Sequence, residues 1–232
     1  MTTTLDAGLG AGPALANSEA LRNAMVASQL RTSAVNDPRV VAAMAQVERE
    51  RFLPASAARF AYADTMVDLG HGRRHNNPLA TGRLLTEARV RPGDKVLLVG
   101  AAGGYAAALL AKLARHVVAL EEQPALAAHA RGALAGVHNV EVVEGPLAAG
   151  WEAGAPYDLI VVDGAIEELP ACLFEQAHPG ARLATGVVDR GVTRLATGAR
   201  GVSGFGLVDF ADCACPILPG FDKPRGFTFG SL

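Results

Sequence analysis

Two features at a fixed separation could hold a nucleoside. The stretch Val96-Leu97-Leu98-Val99-Gly100-Ala101-Ala102-Gly103-Gly104-Tyr105 reads as an apolar strand, a glycine turn and the start of a helix. Glycines in such a turn let the backbone pass close to a ligand. About 20 residues further on, the apolar run His116–Leu120 ends on Glu121, where a carboxylate can take both hydroxyls of a ribose. Gly100, Ala102, Gly104, Tyr105 and Glu121 are therefore candidate cofactor-binding residues. Two structural alternatives stand beside this reading. The glycines could serve to pack helix against strand, and Glu121 with Glu122 could favour the dipole of the next helix. Ala102 occupies the middle of the turn, where a dinucleotide's pyrophosphate would ask for glycine. A nucleoside ligand without phosphates, such as S-adenosylmethionine, tolerates more variation there.

Other reactive side chains are less organised. His71 and His75 are four apart, which on a helix could face one metal ion, but Gly70, Gly72 and Pro78 argue against a helix and no third ligand stands nearby. Cys172, Cys213 and Cys215 have no histidine–carboxylate partners for nucleophilic catalysis, and core packing is expected of Cys172. Asn76-Asn77-Pro78-Leu79 lacks the aromatic residue of a base-stacking methyltransferase signature and precedes the glycine turn. Asp163 follows the run Leu159–Val162, where it could face a substrate or cap a helix.

The elements that must position these residues alternate regularly. Lys95–Val99, His116–Leu120, Val140–Val143 and Leu159–Val162 are short apolar runs. Between and after them, 105–114, 124–134 and 169–177 have helical character. Apolar strands alternating with helices predict right-handed crossovers and a parallel sheet covered on both faces. Ala181–Val188, Gly191–Thr197 and Phe205–Ala211 follow without helices and predict an antiparallel edge. Ahead of the sheet, residues 1–16 read as a loose arm. Helices follow from about Asn17, with Leu21, Met25, Val26 and Leu30 as a stripe, and from Asp37-Pro38, a cap and a first-turn proline. Residues 55–80 read as an ordered loop region and about 79–88 as a helix. The fold class is α/β, with a helical extension over 17–90 and a sheet over 91–232.

Composition narrows the function classes. Half of the 232 residues are hydrophobic, enough for a large core, and the net charge of -2 gives no electrostatic case for nucleic acid or an anionic membrane. No apolar run approaches the roughly 20 residues needed to span a bilayer. The first twenty residues carry no secretory pattern, and three cysteines suit reduced thiols, so a cytoplasmic location is expected.

Several passages in order resemble the protein-L-isoaspartate O-methyltransferases, which are S-adenosylmethionine-dependent repair enzymes. From Met25 to about Leu218 these are MVASQLRTSAVNDPRVVAAM, VERERFLP, AYAD, LGHG, RPGDKVLLVG, GGYAAALLA, HVVALE, the pair Gly150-Trp151, APYDLIVVDGA and PGARL. The resemblance implies a Rossmann-like methyltransferase sheet and methyl transfer to the α-carboxylate of isoaspartyl residues, with no metal. It implies S-adenosylmethionine as cofactor, isoaspartyl-containing protein or peptide (or another carboxylate) as partner, and neither nucleic acid nor membrane. It also places Gly145 in the cofactor site. Departures from the family pattern accompany these matches. Leu98 stands where the family has an acid, Ala102 where it has the middle glycine, and Gly145-Pro146-Leu147 where it has Gly-Asp-Gly. Arg74, His75 and Asn76 stand where the family has Thr-Ile-Ser, so Asn76 and Arg74 are the candidate groups facing the acceptor carboxylate, and Arg73 could pair with it too. Solvated surface charge is the alternative for both arginines. A second function class stays open: a lapsed member that retains the fold as a scaffold and binds cofactor weakly or not at all, which the altered contacts at Leu98, Ala102 and Pro146 would produce.

Overall fold

The computed structural model describes residues 13–223. Helix α1 (Pro13–Ala24) runs into a π-helical turn, Met25–Leu30, and α2 (Pro38–Gln46) follows. The chain is already helical at Pro13, four residues before the predicted start; residues 1–12 of the expected arm lie outside the described residues. Asp37 caps α2 by accepting from the Arg39 N–H, with Pro38 in the first turn, as the sequence pattern predicts. The stretch read as an ordered loop instead contains a hairpin, β1 (Val67–Gly70) and β2 (Arg73–His75). Its turn is made by Gly70, His71 and Gly72, all with positive φ. Helix α3 (Pro78–Glu87) comes next, capped by the Asn77 side chain on the Ala80 N–H.

The main sheet has seven strands: β3 (Lys95–Val99), β4 (His116–Glu121), β5 (Val140–Glu144), β6 (Tyr157–Ile166), β7 (Ala177–Asp189), β8 (Val192–Arg200) and β9 (Phe205–Asp212). Their spatial order is β5-β4-β3-β6-β7-β8-β9. The pairings from β5 through β7 are parallel, and β7–β8 and β8–β9 are antiparallel. Helices α4 (Tyr105–Ala111), α5 (Pro124–Ala133) and α6 (Ala171–Glu175) connect the parallel strands. Strand alternation divides the core in two. Val96, Leu98, Val117 and Ala119 pack with the helical extension, while Leu97, Val99, Val118 and Leu120 pack with Leu173, Leu218 and Phe221 on the other face. Residues 17–90 and the sheet therefore share one of the two cores.

Strand order reverses at β3, whose neighbours are β4 on one side and β6 on the other. The crevice beyond the carboxyl ends of these strands is where open α/β sheets bind ligands. β6 runs on to Ile166, so Asp163 and Gly164 are strand residues and no helix starts there.

Candidate active site

The glycine turn after β3 closes on the next strand. The N–H groups of Gly100 and Ala101 both donate to the Leu120 carbonyl. Ala102 holds φ +50, a left-handed conformation that costs an alanine roughly 1–2 kcal/mol. Its N–H donates to Glu121 Oε2 at 2.7 Å. The strained alanine is thus fixed by the carboxylate expected to meet a ribose. Gly103 and Gly104 are packing glycines. A Cβ on Gly103 would collide with the Phe52 carbonyl of the extension, and one on Gly104 would press on Leu134 and Ala130 of the α5 region. Tyr105 turns away from the turn, its ring 5.9 Å from Phe52 and 5.7 Å from His75. Gly145 donates its N–H to the Glu121 carbonyl, extending the β4–β5 ladder.

Glu121 is fully buried and fully engaged. Besides Ala102, it accepts from the N–H groups of Glu122 and Gln123. Its remaining capacity goes to Arg73, with Nε at 3.2 Å and Nη2 at 2.9 Å. Exposure of the two side chains is 2% for Arg73 and 0% for Glu121. A pair this deep is held by its bidentate fork and by the backbone donors that share the carboxylate. Arg73 is therefore no surface charge. Residues 73, 74 and 75 alternate on β2 as buried, exposed, buried, so Arg74 faces outward. There it lines a groove of about 640 Å³ with Met66, Asp68, His71, Cys215 and Ile217. Asn76, two residues on, is buried.

Asn76 lies at a second buried cluster. Its amide donates to Asp163 Oδ1 at 3.0 Å, and Thr81 Oγ donates to the same oxygen at 3.2 Å. Asp163 thus ties the hairpin's end and α3 to β6 and caps no helix. Burial pushes its carboxyl pKa up, opposed by the two hydrogen bonds. Arg49, fully buried and missed in the sequence reading, donates to the carbonyls of Ala61 and Asn76, each at 2.5 Å. Its guanidinium sits 5.5 Å from the Tyr105 ring centre and 3.2 Å from His75 Nδ1. Burial and this cation lower the His75 pKa to about 3, so the ring is neutral. Among the described residues, Arg49 Nε, His75 Nε2 and the Tyr105 hydroxyl have no hydrogen-bond partner.

His71 sits exposed in the hairpin turn and His75 buried on its strand, so the pair shares no face. All three cysteines are free; Cys215 is buried and Cys172, expected in the core, is half-buried. Among the described residues no helix is long and apolar enough to cross a membrane.

The carboxyl edge is closely packed around its glycines. Beside Gly100, an added Cβ would meet Leu218 Cδ1 at 2.9 Å and Arg73 Nη2 at 3.3 Å, and beside Gly164 it would meet Leu218 Cγ at 2.7 Å. Leu218 thus packs against both glycines, and Arg73 against Gly100. Leu98 is fully buried in the extension's core and offers no polar group, and Pro146 supplies neither a carboxylate nor an N–H.

The sheet order, the glycine turn and the acid at the tip of β4 define a Rossmann-like methyltransferase fold of the S-adenosylmethionine-dependent kind. Residues 20–199 match the model of the Protein-L-isoaspartate(D-aspartate) O-methyltransferase family. The chain belongs to that family. It is 42% identical to Protein-L-isoaspartate O-methyltransferase 1 of Rhodopseudomonas palustris over 179 residues, 76% of this chain and 73% of the relative. It is equally similar, at 42% over 171 residues, to Protein-L-isoaspartate O-methyltransferase of Methanoregula boonei, covering 73% and 79% of the two chains. In fold it resembles a Plasmodium falciparum structure assigned as a protein-L-isoaspartate O-methyltransferase in complex with S-adenosyl-L-homocysteine. That likeness has a TM-score of 0.73 at 18% identity over 87% of this chain and 97% of the other.

Proposed function

We propose that the protein is a carboxyl O-methyltransferase of the isoaspartyl-repair type, with S-adenosylmethionine as methyl donor and isoaspartyl residues of damaged proteins or peptides as acceptors. The observation that carries this reading is the family relationship over residues 20–199. The site supports it where the chain keeps chemistry at the carboxyl edge: Glu121 at the tip of β4, and Asn76 held against Asp163 beside β6.

In this reading Asn76 positions the acceptor carboxylate. Its carboxamide is fixed at both ends, because Nδ2 donates to Asp163 and Oδ1 accepts from the Asn77 N–H. The second amide N–H, which the neighbouring Cys215 thiol shares, turns in this reading to an incoming carboxylate. Arg49, donating to the Asn76 carbonyl from below, is the buried cation of this corner. Arg74, on the exposed side of the hairpin, draws an acidic segment toward the groove. Gly100, Ala102, Gly104, Tyr105, Glu121 and Gly145 remain the cofactor-side residues, with Glu121 the one whose chemistry suits a ribose. Ala102 and Gly145 support it through the backbone.

The test is formation of a base-labile methyl ester on an isoaspartyl peptide, measured beside its aspartyl isomer. Label on the first and none on the second is expected. Absence of label on both, with folded protein and millimolar donor, removes the reading.

A further inference from the structure

We propose that the nucleoside seat is held shut by the chain's own residues, Arg73 taking the carboxylate meant for the ribose and Leu218 filling the space beside Gly100 and Gly164. This rests on the methyltransferase reading, because it concerns how that reading's cofactor gains entry. The seat opens only when both side chains leave it, so the contact is autoinhibitory.

Three observations support the plug. First, the geometry at Glu121 is saturated: two guanidinium nitrogens and three backbone N–H groups converge on its two oxygens. A diol can bind there only by replacing Arg73. Second, Leu218 lies against two backbone positions without a Cβ, Gly100 just after the end of β3 and Gly164 in the neighbouring β6. Third, neither plug residue belongs to the parallel strands. Arg73 comes from the β1–β2 hairpin, and Leu218 from a strap that follows β9. The strap is pinned by Ala165 N–H to the Pro216 carbonyl, Leu218 N–H to the Ala165 carbonyl and Asn77 Nδ2 to the Ala214 carbonyl.

Hairpin and strap meet along the open groove, whose walls include Gly70, Gly72 and Arg74 from one and Cys215, Pro216 and Ile217 from the other. Parting them there uncovers Glu121, and the displaced Arg73 gains water for its lost partner. The hairpin's exposed turn of three positive-φ residues and its short ladder make it the easier of the two to move.

A plug of this kind weakens apparent affinity by the fraction of molecules that are open. Removing it restores the intrinsic affinity. Arg73→Ala leaves Glu121 with its three backbone donors, so the carboxylate stays placed for a ribose. The experiment is calorimetric titration of S-adenosylmethionine into the full chain, the Arg73→Ala variant and the Leu218→Ala variant. Arg73→Ala is expected to bind at least about tenfold more tightly than the parent, and Leu218→Ala about threefold. Leu218→Ala keeps the ion pair and carries the test alone should Arg73→Ala fail to fold. Equal, measurable dissociation constants in all three overturn the plug and leave the methyltransferase reading intact. No heat from any of them at millimolar ligand overturns both.

Discussion

Replacing Glu121 by alanine would tell a structural carboxylate from one that serves only a ligand. A residue reserved for a ribose could be removed from the free protein at little cost in stability. The geometry predicts the opposite here. Glu121→Ala leaves the Arg73 guanidinium buried at 2% exposure without a counter-charge, and strips an acceptor from the N–H groups of Ala102, Glu122 and Gln123. Breaking a buried pair from one side costs about 3–5 kcal/mol. For a chain of this size each kcal/mol moves Tm by about 2–4 °C, so a fall on the order of 10 °C is expected. Arg73→Ala should cost less, about 1–3 kcal/mol, because Glu121 keeps three backbone donors. The double variant should cost less than Glu121→Ala, since no charge is stranded, and more than Arg73→Ala, since the three N–H groups still lose their acceptor. Urea unfolding of the four proteins gives the coupling directly, and a coupling of at least about 1.5 kcal/mol is expected. Costs that add to within about 0.5 kcal/mol would refute the reasoning, because independent side chains add in that way.

Three further predictions follow from the same packing. Gly103→Ala should destabilise by about 2 kcal/mol or more, since the new methyl meets the Phe52 carbonyl, a backbone atom that cannot move alone; a thermal melt within 2–4 °C of the parent would contradict this. Ala102→Gly should stabilise by about 0.5–1 kcal/mol in urea unfolding by relieving a left-handed alanine at φ +50, and a loss of stability would show that the methyl group's packing outweighs the strain. His75 is neutral in the folded state, with a pKa lowered to about 3 from its ordinary 6.5 by burial and by Arg49. The unfolded chain then binds the extra proton, so stability falls as pH drops below about 6.5, by up to ~1.4 kcal/mol per unit, until pH nears 3. His75→Leu should flatten that slope between pH 6 and 4, and an unchanged slope would remove His75 as its source.

Much of the architecture was legible because strand and helix periods were clean. The four apolar runs from Lys95 to Val162 became adjacent parallel strands, and Asp37-Pro38 capped the predicted helix. Glu121 sits at a strand tip as expected. What remained hidden were partnerships across long separations. Arg73 and Arg74 are two adjacent arginines, and which of them faces inward depends on the register of a hairpin beginning at Val67 and on an acid 48 positions away. The alternation of Arg73, Arg74 and His75, read as a short strand, was the available signal. Arg49 gave none, since its partners are backbone carbonyls and a histidine ring. Leu218 lies in a segment with no regular pattern, tied to β6 by its N–H to the Ala165 carbonyl. Reading 55–80 as loop hid the hairpin, and with it the alternation that buries Arg73 and exposes Arg74.

In the proposed plug, one carboxylate serves Arg73 in the free protein and a ribose in the loaded one. The Arg73 Nε–H proton resonance, followed by nuclear magnetic resonance in isotope-labelled protein, reports on both states. In the free protein it should be resolved and slow to exchange with water, because the group is buried on Glu121. Saturation with S-adenosylhomocysteine should abolish that protection. A signal that exchanges freely before ligand is added, or one left untouched by ligand that demonstrably binds, would contradict the account.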